Sequence, residues 1–128
     1  MDNKTIKSYR DLLVWQKGIE LAKDIYALTK SLPPSEKFGL ISQMRRAAVF
    51  VPSNIAEGQA RRHTKEFRQF LHIARGSLAE LDTQLTVAVQ LGFVAQEDVD
   101  LIGRRLIELA KMTNGLLSKL SPDYPPNP

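Results

Sequence analysis

The stretch LISQMRRAAVFVPSNIAEGQARR, Leu40 to Arg62, decides whether this chain builds four helices or five. Leu40, Ile41, Met44, Ala47, Ala48 and Val51 recur at the spacing of one helix face. Pro52 then interrupts. A proline inside a helix cannot donate its backbone hydrogen bond, frees the carbonyl four residues back, here that of Ala48, and usually bends the axis. Ile55 resumes in phase with the residues before the proline. The spacing therefore predicts one helix over about residues 36–58, bent at Pro52, with Ser35 as N-cap and Gly58 as its C-terminal signal.

Working outward, the segment before it carries two interleaved apolar stripes. One is Leu12, Trp15, Ile19, Ala22 and Tyr26; the other is Val14, Gly18, Leu21, Ile25, Leu28 and Leu32. Together they make a face too broad for a single seam, so this helix, about 12–31, needs more than one neighbour. Trp15 and Tyr26 are expected in the core or at an interface. Pro33-Pro34 ends it. After the opening stretch, Thr64 is the expected N-cap of a third helix, about 64–91. Its stripe is Phe67, Phe70, Leu71, Ala74, Leu78, Leu81, Leu85 and Ala88, and Gly92 stops it. A fourth helix, about 96–120, carries Val99, Ile102, Leu106, Leu109, Thr113, Leu116 and Leu120. Glu97, Asp98 and Asp100 complement its N-terminal dipole, and no good capping residue precedes it. No strand pattern competes. Four helices joined by short loops predict an all-α, antiparallel up-down-up-down four-helix bundle over residues 1–120. A flexible Pro-rich tail, 121–128, follows.

Composition narrows the chemistry. The 128 residues suit one domain, and there is no cysteine for a disulfide, thiolate site or nucleophile. No run approaches the ~18 apolar residues of a membrane span. The opening MDNKTIKSYRD lacks the apolar core of a signal peptide, so a cytoplasmic setting is expected. His63 and His72 do not follow a glutamate by three, so the inward Glu-x-x-His pairs of a di-metal bundle are missing. Neither a phosphate-cradling glycine loop nor a nucleophile elbow is present. No catalytic residue, metal or cofactor is predicted.

The net charge of +4 is unevenly spread. Between Arg45 and Arg75 stand seven basic side chains against two acids, Glu57 and Glu66. Arg61, Lys65, Arg68, His72 and Arg75 step by four, three, four and three, which puts them on one flank of the third helix; Arg62 joins at its start. Such a ridge can track a phosphate backbone. No exposed aromatics interleave it, so base stacking is not indicated. The plainer reading of the same residues is a solvated helix face.

Three segments resemble the 23S rRNA-intervening-sequence protein family. They are DLLVWQKGIELAKDIY (Asp11–Tyr26), FGLISQMRRAAVFVPSNIAEGQARR (Phe38–Arg62) and TKEFRQFLHIARGSLAELDTQL (Thr64–Leu85), covering most of the chain. The resemblance implies a four-helix bundle that assembles as a homopentamer. Some members are encoded inside insertions in ribosomal RNA genes. A distantly similar bundle is an accessory protein of diversity-generating retroelements that binds nucleic acid and a reverse transcriptase. No activity is implied for the family as a whole. Phe50, His72 and Arg75 depart from its pattern.

Ser53, Asn54, Glu57, Gly58 and Glu80 match family positions. A carboxylate near the apolar face requires partners. The residues therefore suggest a structural polar network of Arg45, Arg46, Asn54, Glu57 and Glu80, with Asn54 satisfying freed backbone groups. The resulting expectation is a non-enzymatic oligomer that binds RNA or DNA weakly through Arg61, Arg62, Lys65, Arg68 and Arg75. The alternative is an assembly scaffold for an unidentified protein with no nucleic-acid role. Partners are the chain itself, then nucleic acid or a protein, and no membrane.

Overall fold

Of the two stripes on the first helix, one is buried and the other only flanks the core, with Leu12, Trp15 and Ala22 packed against it. In the computed structural model, which describes residues 6–121, helix α1 spans Leu13–Thr29. Val14, Gly18, Leu21, Ile25 and Leu28 are buried along it, whereas Ile19 and Tyr26 of the second stripe stay exposed. Helices α2 (Leu40–Ala60), α3 (Thr64–Gln90) and α4 (Gln96–Lys119) complete an all-α fold with no strand among the described residues. The tail from residue 122 lies outside them. No helix there is long and apolar enough to cross a membrane.

The core is a continuous apolar cluster from all four helices. Leu21, Ile25, Met44, Ile55, Leu71, Leu78, Leu81 and Leu109 are its largest sealed apolar side chains. Helix α1 packs on α2 and α4, and α3 packs on the same two; α1 and α3 have no close backbone approach. The four helices thus form a square with α1 and α3 on one diagonal.

Helix α2 runs unbroken through Pro52, as the phase of Ile55 predicts. Pro52 is itself buried and packs against α1 at Gly18, where a Cβ would come within 3.3 Å of the proline Cβ. The ends of α2 differ from expectation. Ser35 sits in a short 3-10 turn, Pro34–Glu36, and caps nothing. The Glu36 carboxylate instead accepts from the Leu40 N–H at 3.1 Å. Gly58 does not end the helix either. It is buried against α3, where a Cβ would sit 2.6 Å from that of Phe70. The helix closes at Ala60, and the left-handed residue beyond it is Arg62, at φ 61°. At α3 the residue before the first turn is His63, and Thr64 lies inside the helix. Gly92, at φ 76°, turns the chain after α3 as predicted. Asp98 caps α4 from within, its carboxylate accepting the Ala95 N–H at 3.0 Å.

Candidate nucleic-acid interface

The basic ridge lies on α3 between its exposed start and the seam with α4. Its members meet different fates. Arg61 is neutralised: Glu57 accepts from it at 3.0 Å and Glu66 at 3.3 Å. The Glu57 hydrogen bond is the largest of the influences that hold its guanidinium above the ordinary arginine range. Arg61 also lies over the Phe70 ring, 5.1 Å from its centroid.

Arg68 and Arg75 are held differently. Arg68 donates to the backbone carbonyl of Leu117, one of the last carbonyls of α4, which have no partner within the helix. A cation there also suits the negative end of the helix dipole. Arg75 donates to Asn114 Oδ1 at 3.0 Å and lies 2.9 Å from His72 Nδ1. A guanidinium has only donors, so His72 Nδ1 must accept and its ring proton sits on Nε2. Together Arg68, His72 and Arg75 line a shallow groove with Asn114, Leu117 and Ser118. Arg62 and Lys65 are exposed. Neither has an ion pair or a side-chain hydrogen bond within the described residues.

The expected polar network is not assembled. Glu57 faces solvent with 55% of its side chain exposed, because its helix position turns it outward beside Arg61. Arg45 donates to Thr29 Oγ1 at 2.8 Å and stacks on Tyr26, 4.5 Å from the ring centroid. Arg46 lies over Phe50 at 5.2 Å. Asn54 donates to the Phe50 carbonyl at 2.7 Å and not to the Ala48 carbonyl that Pro52 frees. Glu80 is exposed and meets none of the other four. Proline, asparagine and glutamate in one run suggested a buried knot; the helix distributes them over three directions.

Two features escaped the sequence reading. Asn114 and the Leu117 carbonyl, on the last turns of α4, orient the ridge arginines; no spacing rule within α3 could find them. A second surface lies between α1 and α2, where Tyr26, Phe38, Ile41, Arg45, Val49 and Phe50 line an open groove. Tyr26 on the second stripe of α1 and the departure at Phe50 were its only signals. Among the described residues no three His, Asp or Glu side chains gather as metal ligands.

Fold and surface together define a four-helix protein whose chemistry is carried by charge distribution. The chain belongs to the 23S rRNA-intervening sequence protein family, which its residues 10–115 match. It is also similar to a crystal structure from Bacteroides thetaiotaomicron VPI-5482, a protein with unknown function from the S23 ribosomal protein family. That likeness has a TM-score of 0.74 at 20% identity and covers 82% of this chain and 98% of the other. At that identity it speaks for the fold alone. No curated protein matches the chain.

Proposed function

We propose that this chain is a non-enzymatic, self-associating bundle of the cytoplasm that holds nucleic-acid phosphates weakly through Arg62, Lys65, Arg68 and Arg75. One observation carries the reading: none of these four cations meets a carboxylate among the described residues. Arg68 and Arg75 are oriented by neutral acceptors, so they are positioned without losing their charge. Lys111 and Lys119 add charge to the same half of α4, where Ala110–Ser121 holds no acid. Phosphate contacts of this kind bind without reading sequence.

An up-down-up-down course is part of the reading. It is supported by neighbours whose numbers fall on one helix as they rise on the next: Gly18 with Pro52, Tyr26 with Arg45, Arg68 with Leu117, Arg75 with Asn114. Self-association is supported by Ile19 and Tyr26, the apolar side chains of the second α1 stripe that stay exposed. Five copies is the number that the family resemblance implies.

The test is a salt titration of labelled RNA and duplex DNA with wild type and the Arg62→Glu/Lys65→Glu variant. Among the described residues neither side chain makes an ion pair, and both are exposed, so their reversal is expected to leave the fold intact. Binding that falls steeply with salt and is lost in the variant is the expected result. Binding that survives the reversal, or no binding at low salt, overturns the proposal.

The second reading, a scaffold for another protein without a nucleic-acid role, draws on Phe38, which is 89% exposed beside Tyr26 and Phe50. It requires a co-purifying protein whose capture survives nuclease treatment; gentle lysis that yields none counts against it.

A further inference from the structure

Three cations on one side of the bundle lie over aromatic rings. Arg45 stands 4.5 Å from the centroid of Tyr26, Arg46 5.2 Å from that of Phe50, and Lys37 5.4 Å from that of Phe38. All six side chains line the open groove between α1 and α2, and no acid lines it with them. None of the three cations pairs with a carboxylate among the described residues. The nearest acids in sequence are engaged elsewhere: Glu36 accepts from the Leu40 N–H, and Asp24 pairs with Arg105 of α4. Exposed Lys23 and Lys30, three residues before and four after Tyr26, share its side of α1 and extend the positive field.

The rings and cations are arranged for use. Phe38 is almost wholly in solvent and Phe50 is 41% exposed, so both keep ring surface that the core does not cover. A guanidinium lying on a ring is held in orientation and still directs its edge N–H groups at an anion. Arg45 is fixed further by Thr29 Oγ1, which accepts from its Nε at 2.8 Å and itself donates to the Tyr26 carbonyl at 3.1 Å. Flat rings alternating with cations match a polymer that alternates bases with phosphates. Each ring can stack a base, and each cation can meet a phosphate. A duplex cannot use the rings, because its bases are already stacked on one another. From Leu40 to Phe50 the helix is about 15 Å long at ~1.5 Å per residue, the reach of a short run of nucleotides.

We propose that the α1/α2 groove binds single-stranded nucleic acid, with Phe38 and Phe50 stacking unpaired bases, Lys37, Arg45 and Arg46 holding the intervening phosphates, and Tyr26 positioning Arg45. The proposal goes beyond the ridge of α3: it uses a separate surface and none of the ridge residues. The ridge takes the phosphates of any strand, whereas the groove demands bare bases. An acidic peptide would satisfy the cations and leave the rings without flat partners.

The test compares the affinity for a labelled single-stranded oligoadenylate with that for a labelled duplex hairpin, with mass measured by light scattering and helicity by circular dichroism. Phe38→Leu and Phe50→Leu keep apolar bulk and remove the ring. Each is expected to weaken oligoadenylate binding at least about 5-fold, the low end for losing one base stack, and to leave the duplex unaffected. Phe38→Trp is expected to keep the wild-type affinity. Arg46→Ala should lower the salt slope for oligoadenylate by about 0.7, one phosphate contact on a single strand. Leucine variants that lose nothing, or lose oligoadenylate and duplex equally, overturn the proposal. Should Phe50→Leu cost helicity, Phe38→Leu, which lies outside every α-helix, carries the test. A Phe38→Leu variant lighter than wild type gives that ring to a contact between copies and overturns the assignment. The Arg62→Glu/Lys65→Glu variant separates groove from ridge: oligoadenylate binding that persists there and stays sensitive to Phe38→Leu supports the groove. In that variant, oligoglutamate that competes as well as unlabelled oligoadenylate gives the groove to acidic peptides and overturns it. A wild type that binds duplex but not oligoadenylate overturns the groove alone, and one that binds oligoadenylate but not duplex overturns the ridge alone.

Discussion

Gly58 and Phe70 set how closely α2 approaches α3: a Cβ on the glycine would lie 2.6 Å from the Cβ of Phe70 and 3.1 Å from a ring carbon of Phe67. The obstacle is a Cβ tied to the α3 backbone, which cannot swing away. Gly58→Ala should therefore cost about 1–3 kcal/mol, the range for overpacking. Gly76 has open space around the same position. Gly76→Ala should stabilise by about 0.5–1 kcal/mol through helix propensity. Denaturant unfolding at equal protomer concentration checks both, and equal signs for the two would contradict the packing described.

Leu81 is fully buried in the centre of α3, among the side chains of the shared core. Its truncation to alanine should cost about 2–5 kcal/mol, the spread reflecting how far the cavity collapses. A loss under 1 kcal/mol, measured by the same unfolding curves, would mean that the core is looser than its burial indicates.

Arg68 and Lys65 separate structure from binding. Arg68 satisfies a terminal carbonyl of α4 at a partly buried site. Arg68→Ala should cost about 1.5–3 kcal/mol, the scale for losing a charge-assisted hydrogen bond. Lys65→Ala should stay within about 0.5 kcal/mol, as for an exposed side chain without an ion pair among the described residues. A thermal shift of the same size in both would place Lys65 in a contact not seen here. This difference is why the binding test reverses Arg62 and Lys65 and leaves Arg68 alone.

Arg61 can be released. Glu57 and Glu66 hold it by exposed ion pairs, which salt screens and which add little to stability. The Glu57→Gln/Glu66→Gln variant should melt close to wild type and bind duplex DNA more tightly. Its log–log salt dependence should steepen by about 0.9, one further phosphate contact. An unchanged slope would show that Arg61 does not reach the phosphates.

The helices were legible because periodicity records burial. The stripe Val14, Gly18, Leu21, Ile25, Leu28 emerges as the buried face of α1, and Ile55 correctly carries α2 past Pro52. Helix ends were less legible. Ser35, Gly58 and Thr64 have the right residue types for caps, but Glu36, Arg62 and His63 occupy the decisive positions. Cap chemistry depends on where the chain turns, and here Gly58 is set by contact with another helix. The site was half legible. The ridge of Arg61, Lys65, Arg68 and Arg75 follows from spacing in α3, but its sorting into neutralised and charge-retaining members depends on Glu57, Asn114 and Leu117, two of them on a distant helix. The network around Glu57 failed because polar residues near an apolar stripe can turn outward as easily as in.

The acidic run Gly76–Gly103 and the basic ridge occupy opposite ends of the up-down course proposed above. A rotation about an axis along the helices carries each end into itself, so copying the chain around such an axis multiplies the separation instead of cancelling it. The assembly would be a disc with two unlike faces, one of mixed charge, where Lys37, Arg45, Arg46 and Arg104 stand near the acids, and one carrying the ridge cations. It would settle on a polyanion with the ridge side down and present its mixed-charge side outward, giving a coat one layer deep.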